Sequence, residues 1–562
     1  MTIRRLLLSL MLVPCVAAGV ELDLFVTDYA ENPSRDQKAL VDAPVAFAAP
    51  QEVTVKKADG TTSTYKSPSK VLVERKGAGD ERVARLFASR GEYEPFSFLL
   101  RPKATIADVF ITGGELKGAA GTIPAENVVV ASAEGFLGEG RTTLLRLGRK
   151  WNMSAHSTEF FWCTVKVPDD AKAGVYKGAV TVTSKGQPVG FIAVELEVLP
   201  VRLEDPPFAL GYNYSSPKDP AALAAHLRDM REHGMTVVAP LYDFHLPIHD
   251  DDTSELGAFI EAYKAAGFPA PLYFATPMNL QLSGLAGYGN ETGKRWQQMF
   301  IKTMHKLHAE TLKHDVPVLM SIGDELTNKG IEGVKIAGRF GRFIWEELPE
   351  IATTSDMNGY MEVMAMAPYL NVATFNNGWD GIDHHNGGRH LINKAFITEL
   401  QEKTGAIPWF VNAASTRFAF GFFFWKMTKH GVRGKVEWYY SLRNQRGSLV
   451  RLDGAKVYPT LDYERCREGI DDLKYLCKLE ALIAQAKKAR KAEAERTKAQ
   501  ALLDGLAASI KDDWTAYRSG GERFPADGFE VMDPEKAAGM GSFDVLRRAV
   551  ADHIVALQHA LE

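Results

Sequence analysis

Cysteine is scarce in this chain. Only four of the 562 residues are cysteine, and Cys15 falls in an N-terminal segment that reads as a leader. Cys466 and Cys477 lie on one expected helix, about 16 Å apart at the usual rise per residue and too far to bridge. Nothing here implies a disulfide framework. No C-x-x-C pair and no H-E-x-x-H pattern occurs, so the usual zinc spacings are missing and neither a metal nor a cofactor is expected. Basic charge is not in excess: 66 Lys and Arg stand against 70 Asp and Glu, a formal net charge of -4. Such a surface offers nucleic acid no attractive field. Beyond the first twenty residues no apolar run is long enough to span a bilayer.

What is present reads as an exported globular protein. Arg4 and Arg5 precede an apolar stretch, residues 6–13, and the small residues Val16, Ala17 and Ala18 offer a cleavage site before Gly19. That is the pattern of a signal peptide over residues 1–18. Pro14 before Cys15 makes a poor lipoprotein box. Removing two arginines would take the formal charge from -4 to -6. At 46% hydrophobic and 24% charged the composition is ordinary, and the length exceeds what one core supports. Nothing in it sets the oligomeric state.

The chain changes character once. Residues 19–203 carry runs rich in aromatic and β-branched side chains, such as 96–102, 109–116, 159–168, 174–184 and 191–203, separated by turn formers. This predicts a β-sandwich. Glu204-Asp205-Pro206-Pro207 reads as a stiff linker. From residue 208 to 488, strand-like runs at 208–214, 236–244, 271–277, 317–325, 351–358, 371–377, 407–415 and 432–441 alternate with helical runs at 220–233, 254–266, 294–313, 331–348, 360–367, 390–403, 417–429 and 462–488. Eight such units predict a closed (β/α)8 TIM-type barrel. An open doubly wound sheet would want a glycine-rich turn after its first strand, where Tyr212-Asn213-Tyr214 stands instead. Residues 489–562 predict a C-terminal α-helical extension without chemistry of its own.

Barrel chemistry gathers at the C-terminal strand ends. Those ends supply Tyr212 and Tyr214; Tyr242, Asp243 and His245; Thr276; Asp324 and Glu325; Asp356 and Asn358; Asn376, Asn377 and Trp379; Asn412 with Arg417 beyond it; and Trp438 and Tyr440. Aromatic rings stack on the C–H face of a sugar while amides and carboxylates bind its hydroxyls. The expected partner is thus an oligosaccharide or glycoconjugate. Tyr212 and Trp438 could equally fill the barrel's top layer.

The adjacent acids Asp324 and Glu325 are the candidate catalytic pair. Neighbouring strand residues face opposite ways, so they do not readily bracket one bond as two glycosidase carboxyls usually do. They can divide the work if a 2-acetamido sugar supplies its own nucleophile. Asp324 would then orient the acetamide, and Glu325 would act as acid and base. The competing reading is a helix cap or an ion pair with an arginine such as Arg417. Two alternatives stand beside the acetamido reading: a glycosidase for another sugar, with Asp243 or Asp356 as nucleophile, or a non-catalytic carbohydrate-binding protein. The histidine-bearing loops around 383–390 and 245–252 lack standard ligand spacing and read as polar loops and a helix cap. The aromatic run at 418–425 reads as core.

Three segments resemble a known family. GEYEPFSFLLRP (91–102) with GTIPAENVVV (121–130) resembles the N-terminal β-domain of family 123 glycoside hydrolases and their relatives. YPTLDYERCREGIDDLKYL (458–476) is similar to the closing helix of their catalytic domain, and FFFWKMTKHGVRGKVEWYY (422–440) to its seventh helix and eighth strand. The resemblance spans roughly residues 90 to 480. It implies a β-N-acetylgalactosaminidase that uses an adjacent Asp-Glu pair with substrate assistance. Asp324 would orient the acetamide and Glu325 would serve as acid/base. Proline commonly follows the pair in that family; Leu326 stands here.

Overall fold

The computed structural model describes residues 22–27, 52–56, 62–66, 82–135, 143–148, 150–155, 159–241, 244–269, 271–275, 291–326, 330–377, 389–441, 448–517 and 543–562. The expected leader lies outside them. The chain forms two compact units that meet in sequence at Arg202 and Leu203.

The first unit is the β-sandwich. One sheet holds the strands Leu22–Thr27, Tyr93–Pro102, Glu159–Lys166, Val128–Gly135 and Thr143–Leu147, all antiparallel. The other is built on Ile106–Gly113, Gly174–Ser184, Gln187–Arg202 and Val83–Arg90, the last pair parallel. Alternation decides the inner faces. Phe96, Phe98 and Leu100 on one strand and Ile192, Val194 and Leu196 on another point into one core.

The second unit is the barrel. Its strands are β1 (Ala209–Tyr214), β2 (Val237–Pro240), β3 (Leu272–Ala275), β4 (Val318–Asp324), β5 (Thr353–Met357), β6 (Val372–Phe375), β7 (Ile407–Val411) and β8 (Gly434–Ser441). They run parallel in the order β2-β1-β8-β7-β6-β5-β4-β3, and β2 and β3 lie beside each other to close the ring. Between them run the helices α1 (Pro220–Glu232), α2 (Ser254–Ala265), α3 (Glu291–Lys313), α4 (Gly330–Glu347), α5 (Tyr360–Met366), α6 (Lys394–Thr404), α7 (Arg417–Phe420) and α8 (Phe422–Thr428). Ala209, Val237, Ala239, Tyr273, Leu319, Val372, Trp409 and Val436 fill the interior. Gly434 leaves room for the Trp409 ring, which a Cβ would meet at 2.3 Å.

The expected helix over 417–429 is broken in two at Gly421. The cause is the long helix α9 (Leu461–Ala489). A Cβ on Gly421 would sit 2.8 Å from the Gly469 carbonyl oxygen, and one on Gly469 would sit 2.3 Å from that of Arg417. Two bare glycines let the backbones approach where any side chain would force them apart. A short hairpin, Val450–Asp453 with Lys456–Pro459, joins β8 to α9.

The C-terminal helices α10 (Glu493–Ser509) and α11 (Phe543–Leu561) pack on α9 and on each other. Arg547 of α11 is buried and donates to Asp472 (2.6 Å) and to the Glu468 carboxylate and carbonyl (2.8 and 2.7 Å). The helical tail is thus wired into the barrel's own closing helix.

Candidate active site

Two observations place the acids. Asp324 ends β4 and both it and Glu325 keep partly exposed side chains. The β4–β5 ladder also changes register between them and the barrel floor. Ser321 pairs with Thr354, but Asp324 pairs with Asp356, so three steps on β4 match two on β5. This extra residue is a bulge, and it reverses the alternation that would have turned Asp324 outward. Asp324 and Asp356 therefore share one face.

Glu325 leaves the strand in the left-handed region, at φ 45°. An L side chain holds that conformation at a cost of about 1 kcal/mol. Its N–H donates to the Asp356 carbonyl at 2.8 Å. The next N–H, that of Leu326, donates to the carboxylate of Glu362 at 2.6 Å, and the other Glu362 oxygen accepts from the N–H of Asn358 at 3.2 Å. Glu362 sits in the first turn of α5 and is fully buried. One carboxylate thus fixes the ends of both β4 and β5, helped by the positive end of its own helix.

Asp356 is a strongly perturbed acid at this rim. Burial comes first, then the charge of Asp324, with Glu325 and Glu362 adding to it. Together they push Asp356 up to about 8 against the lowering hydrogen bond from Tyr273. The Tyr273 hydroxyl donates to Asp356 Oδ1 at 2.5 Å, and burial drives its own ionisation far above the usual range. The Ser321 and Thr374 hydroxyls lie near that of Tyr273, and Thr374 bonds to Thr354 at 2.7 Å, a layer of hydroxyls beneath the acids. A carboxyl held neutral near pH 7 is a poor nucleophile. This weighs against Asp356 in that role.

The remaining strand-end residues divide. Asn376 continues the inward parity of Val372 and Thr374, and its N–H donates to the Met357 carbonyl at 3.1 Å. Trp438 shares the inward parity of Val436 and is 44% exposed, so its ring is open to a ligand. Asn412, left-handed at φ 51°, accepts the Trp438 N–H on its Oδ1 at 3.1 Å and fixes the aromatic from beside it. Asn377 is turned to structure: its amide oxygen accepts the Ile392 N–H and its amide nitrogen donates to His390. Tyr242, Asp243, Trp379, Thr276 and the 383–385 histidine run lie outside the described residues.

Three expected contacts are corrected. Tyr212 faces the helices, packed on Phe420 and Tyr463 at 5.7 and 6.0 Å, because Ala209 faces in and Tyr212 is three residues on. The inward neighbour is Asn213, buried at the strand's upper end. Tyr440 also faces outward and donates to Asp229 on α1 at 2.8 Å. Arg417 is buried against Asp472 (2.7 and 3.0 Å) and Asp544 (2.7 Å), joining α7 to α9 and α11. It holds the wall together through these two acids. His245 is bonded to Asp250 at 3.0 Å, and Asp252 accepts the Ser254 N–H that opens α2, as a polar loop and cap would.

Sequence reasoning missed Glu362, Tyr273 and Glu437. Glu362 carries a weak signal, an acid in the first turn behind Asn358-Gly359. Tyr273 reads as an ordinary strand aromatic. Glu437, buried beside Lys435, accepts the Ala413 N–H at 2.7 Å and props the β7 end from behind. A glutamate inside a strand gives no such hint.

No family model matches the sequence, and no curated protein does. Among solved structures, a family 123 glycoside hydrolase from Clostridium perfringens, described for glycolipid glycan hydrolysis, aligns over 96% of this chain and 100% of its own at TM-score 0.61 and 11% identity. A family 39 glycoside hydrolase from Bacteroides cellulosilyticus (10% identity, 66% of this chain, 81% of its own, TM-score 0.34) and a Bacteroides ovatus GH5 xyloglucanase (10%, 70%, 99%, 0.31) align too loosely to carry an argument. From the sandwich through the barrel to the last helix, the chain has the fold of a family 123 glycoside hydrolase.

Proposed function

We propose that this protein is an exported glycoside hydrolase that removes terminal β-linked N-acetylhexosamine, N-acetylgalactosamine first, by substrate-assisted hydrolysis with retention. The fold supports a glycosidase, and the residues supply the finer reading. Asp324 accepts the acetamide N–H. The acetamide oxygen attacks the anomeric carbon, Glu325 gives its proton to the leaving oxygen, and the glycosidic bond breaks to leave an oxazoline. Glu325, now a carboxylate, takes a proton from water as that water opens the oxazoline. Trp438 offers a face for the sugar ring.

One observation carries this reading. The bulge turns Asp324 toward Asp356, and Asp356 is held neutral. Among the described rim acids one is then placed to orient and one to exchange protons, and Asp356 is poorly suited to attack, which agrees with a self-supplied nucleophile.

The test is a panel of p-nitrophenyl glycosides on wild type and Glu325→Gln. The β-N-acetylgalactosaminide should be cleaved and the plain β-galactoside should not, with kcat falling about a thousandfold in the variant. Cleavage of the β-galactoside at the same rate would overturn substrate assistance. Glycan retention without turnover, unchanged in Glu325→Gln, would point to a binding protein.

A further inference from the structure

A second irregularity stands on the wall that faces the acids. β8 lies four strands from β4 in the ring, so the two oppose each other across the mouth. Tyr212 of β1 pairs with Glu437 of β8, but Tyr214 pairs with Ser441, so two steps on β1 match four on β8. The extra length begins at Trp438, whose inward ring is 44% exposed. The ladder between β7 and β8 runs from Trp409 with Gly434 to Val411 with Val436. Beyond it two side chains continue the join. Asn412 Oδ1 accepts the Trp438 N–H at 3.1 Å, and Glu437 Oε1 accepts the Ala413 N–H at 2.7 Å. Each strand end thus lends the other one side-chain oxygen and one N–H. The same Glu437 oxygen receives the Lys435 ammonium, which lies 4.9 Å from the centre of the Phe420 ring. Both members of that pair are buried, so the carboxylate is locked in place. Asn412 sits at φ 51° and Ala414 at φ 95°, so the turn is bent where the two bonds hold it.

We propose that Asn412 and Glu437 are positioning residues, a two-way clasp between the upper ends of β7 and β8 that aims the Trp438 ring at the bound sugar. Neither needs to touch the ligand. Stacking on the C–H face of a sugar is a contact made alike before and during bond cleavage, and such uniform binding is read in KM. The proton chemistry lies on the opposite wall, so loosening the clasp weakens affinity and leaves the chemical step nearly as it was. Asparagine suits position 412 because it tolerates a left-handed backbone while offering an acceptor, as aspartate also does. The sugar's place on Trp438 rests on the proposed function, whereas the clasp itself is tested without substrate.

The chain has nine tryptophans. Labelled throughout with 5-fluorotryptophan, it gives fluorine resonances among which that of Trp438 is identified by its loss in Trp438→Phe. In Asn412→Gly, which keeps the left-handed turn and drops only the acceptor, this line should shift or broaden. In Asn412→Asp, which keeps both, it should stay near its wild-type position. Glu437 is tested with Lys435 replaced as well, so that no buried charge is left alone. Lys435→Met with Glu437→Gln keeps an acceptor for the Ala413 N–H and should leave the line in place, whereas Lys435→Met with Glu437→Leu should move it. On the chromogenic acetamido substrate, the variants that move the line should raise KM about fivefold, as loss of the stacking itself would, with kcat within about twofold of wild type. A Trp438 line unmoved both in Asn412→Gly and in Lys435→Met with Glu437→Leu overturns the clasp whatever the substrate proves to be. A fall in kcat as large as the rise in KM overturns it too, since the clasp would then be holding the acids. A line that moves while KM stays fixed removes Trp438 as the sugar's platform, and with it that part of the proposed function, while the clasp stands.

Discussion

Glu362→Gln is the sharpest perturbation of the candidate site that leaves both proposed catalytic acids in place. Glu362 accepts the Leu326 N–H at 2.6 Å and the Asn358 N–H at 3.2 Å from a fully buried position. Glutamine keeps one acceptor oxygen and turns an amide donor toward the other N–H. One charge-assisted bond is lost and a buried N–H is left without a partner, which together cost about 2 to 4 kcal/mol. In a unit of roughly 360 residues that is a fall in melting temperature of about 3 to 6 °C. The functional loss should be larger than the stability loss implies. Leu326 follows Glu325, whose left-handed backbone relaxes once its neighbour is released, and a displacement near 1 Å costs about a hundredfold in rate. That loss should fall on kcat more than on KM. Removing the Glu362 charge also lowers the Asp356 pKa. Steady-state kinetics on the chromogenic acetamido substrate, beside thermal melts, make the measurement. A Gln variant with wild-type kcat and melting temperature would refute the claim that this carboxylate positions the rim.

Other substitutions separate wall from site. Arg547→Ala removes an arginine from the buried carboxylates of Glu468 and Asp472; the loss should be about 3 to 5 kcal/mol, read as a drop in melting temperature. Tyr440→Phe removes the bond to Asp229 and should cost about 1.5 to 3 kcal/mol of stability while KM stays put; a raised KM would return Tyr440 to the site. Trp438→Ala should raise KM about fivefold with little change in melting temperature, since its ring is open to solvent and stacking is worth about 1 kcal/mol.

The sequence by itself determined the order of elements and the address of the candidate acids. The change from two-residue to helical periodicity at the 204–207 linker separates the sandwich strands from the barrel, and the expected closing helix, 462–488, is found as Leu461–Ala489. Periodicity is a local property, so neighbouring residues suffice to write it. That an apolar run ends in Asp324 and Glu325 is likewise local. Facing direction was not legible. β1 is buried on both sides along its whole length, so no alternation tells Tyr212 from Asn213. The bulge that turns Asp324 inward exists only in its pairing with β5. Arg417 finds its acids 55 and 127 residues away, and Glu362 reaches back 36 residues to Leu326. Which carboxyl stays charged depends on what surrounds it, and for Asp356 those surroundings are supplied by three separate strands and a helix that only the closed barrel assembles.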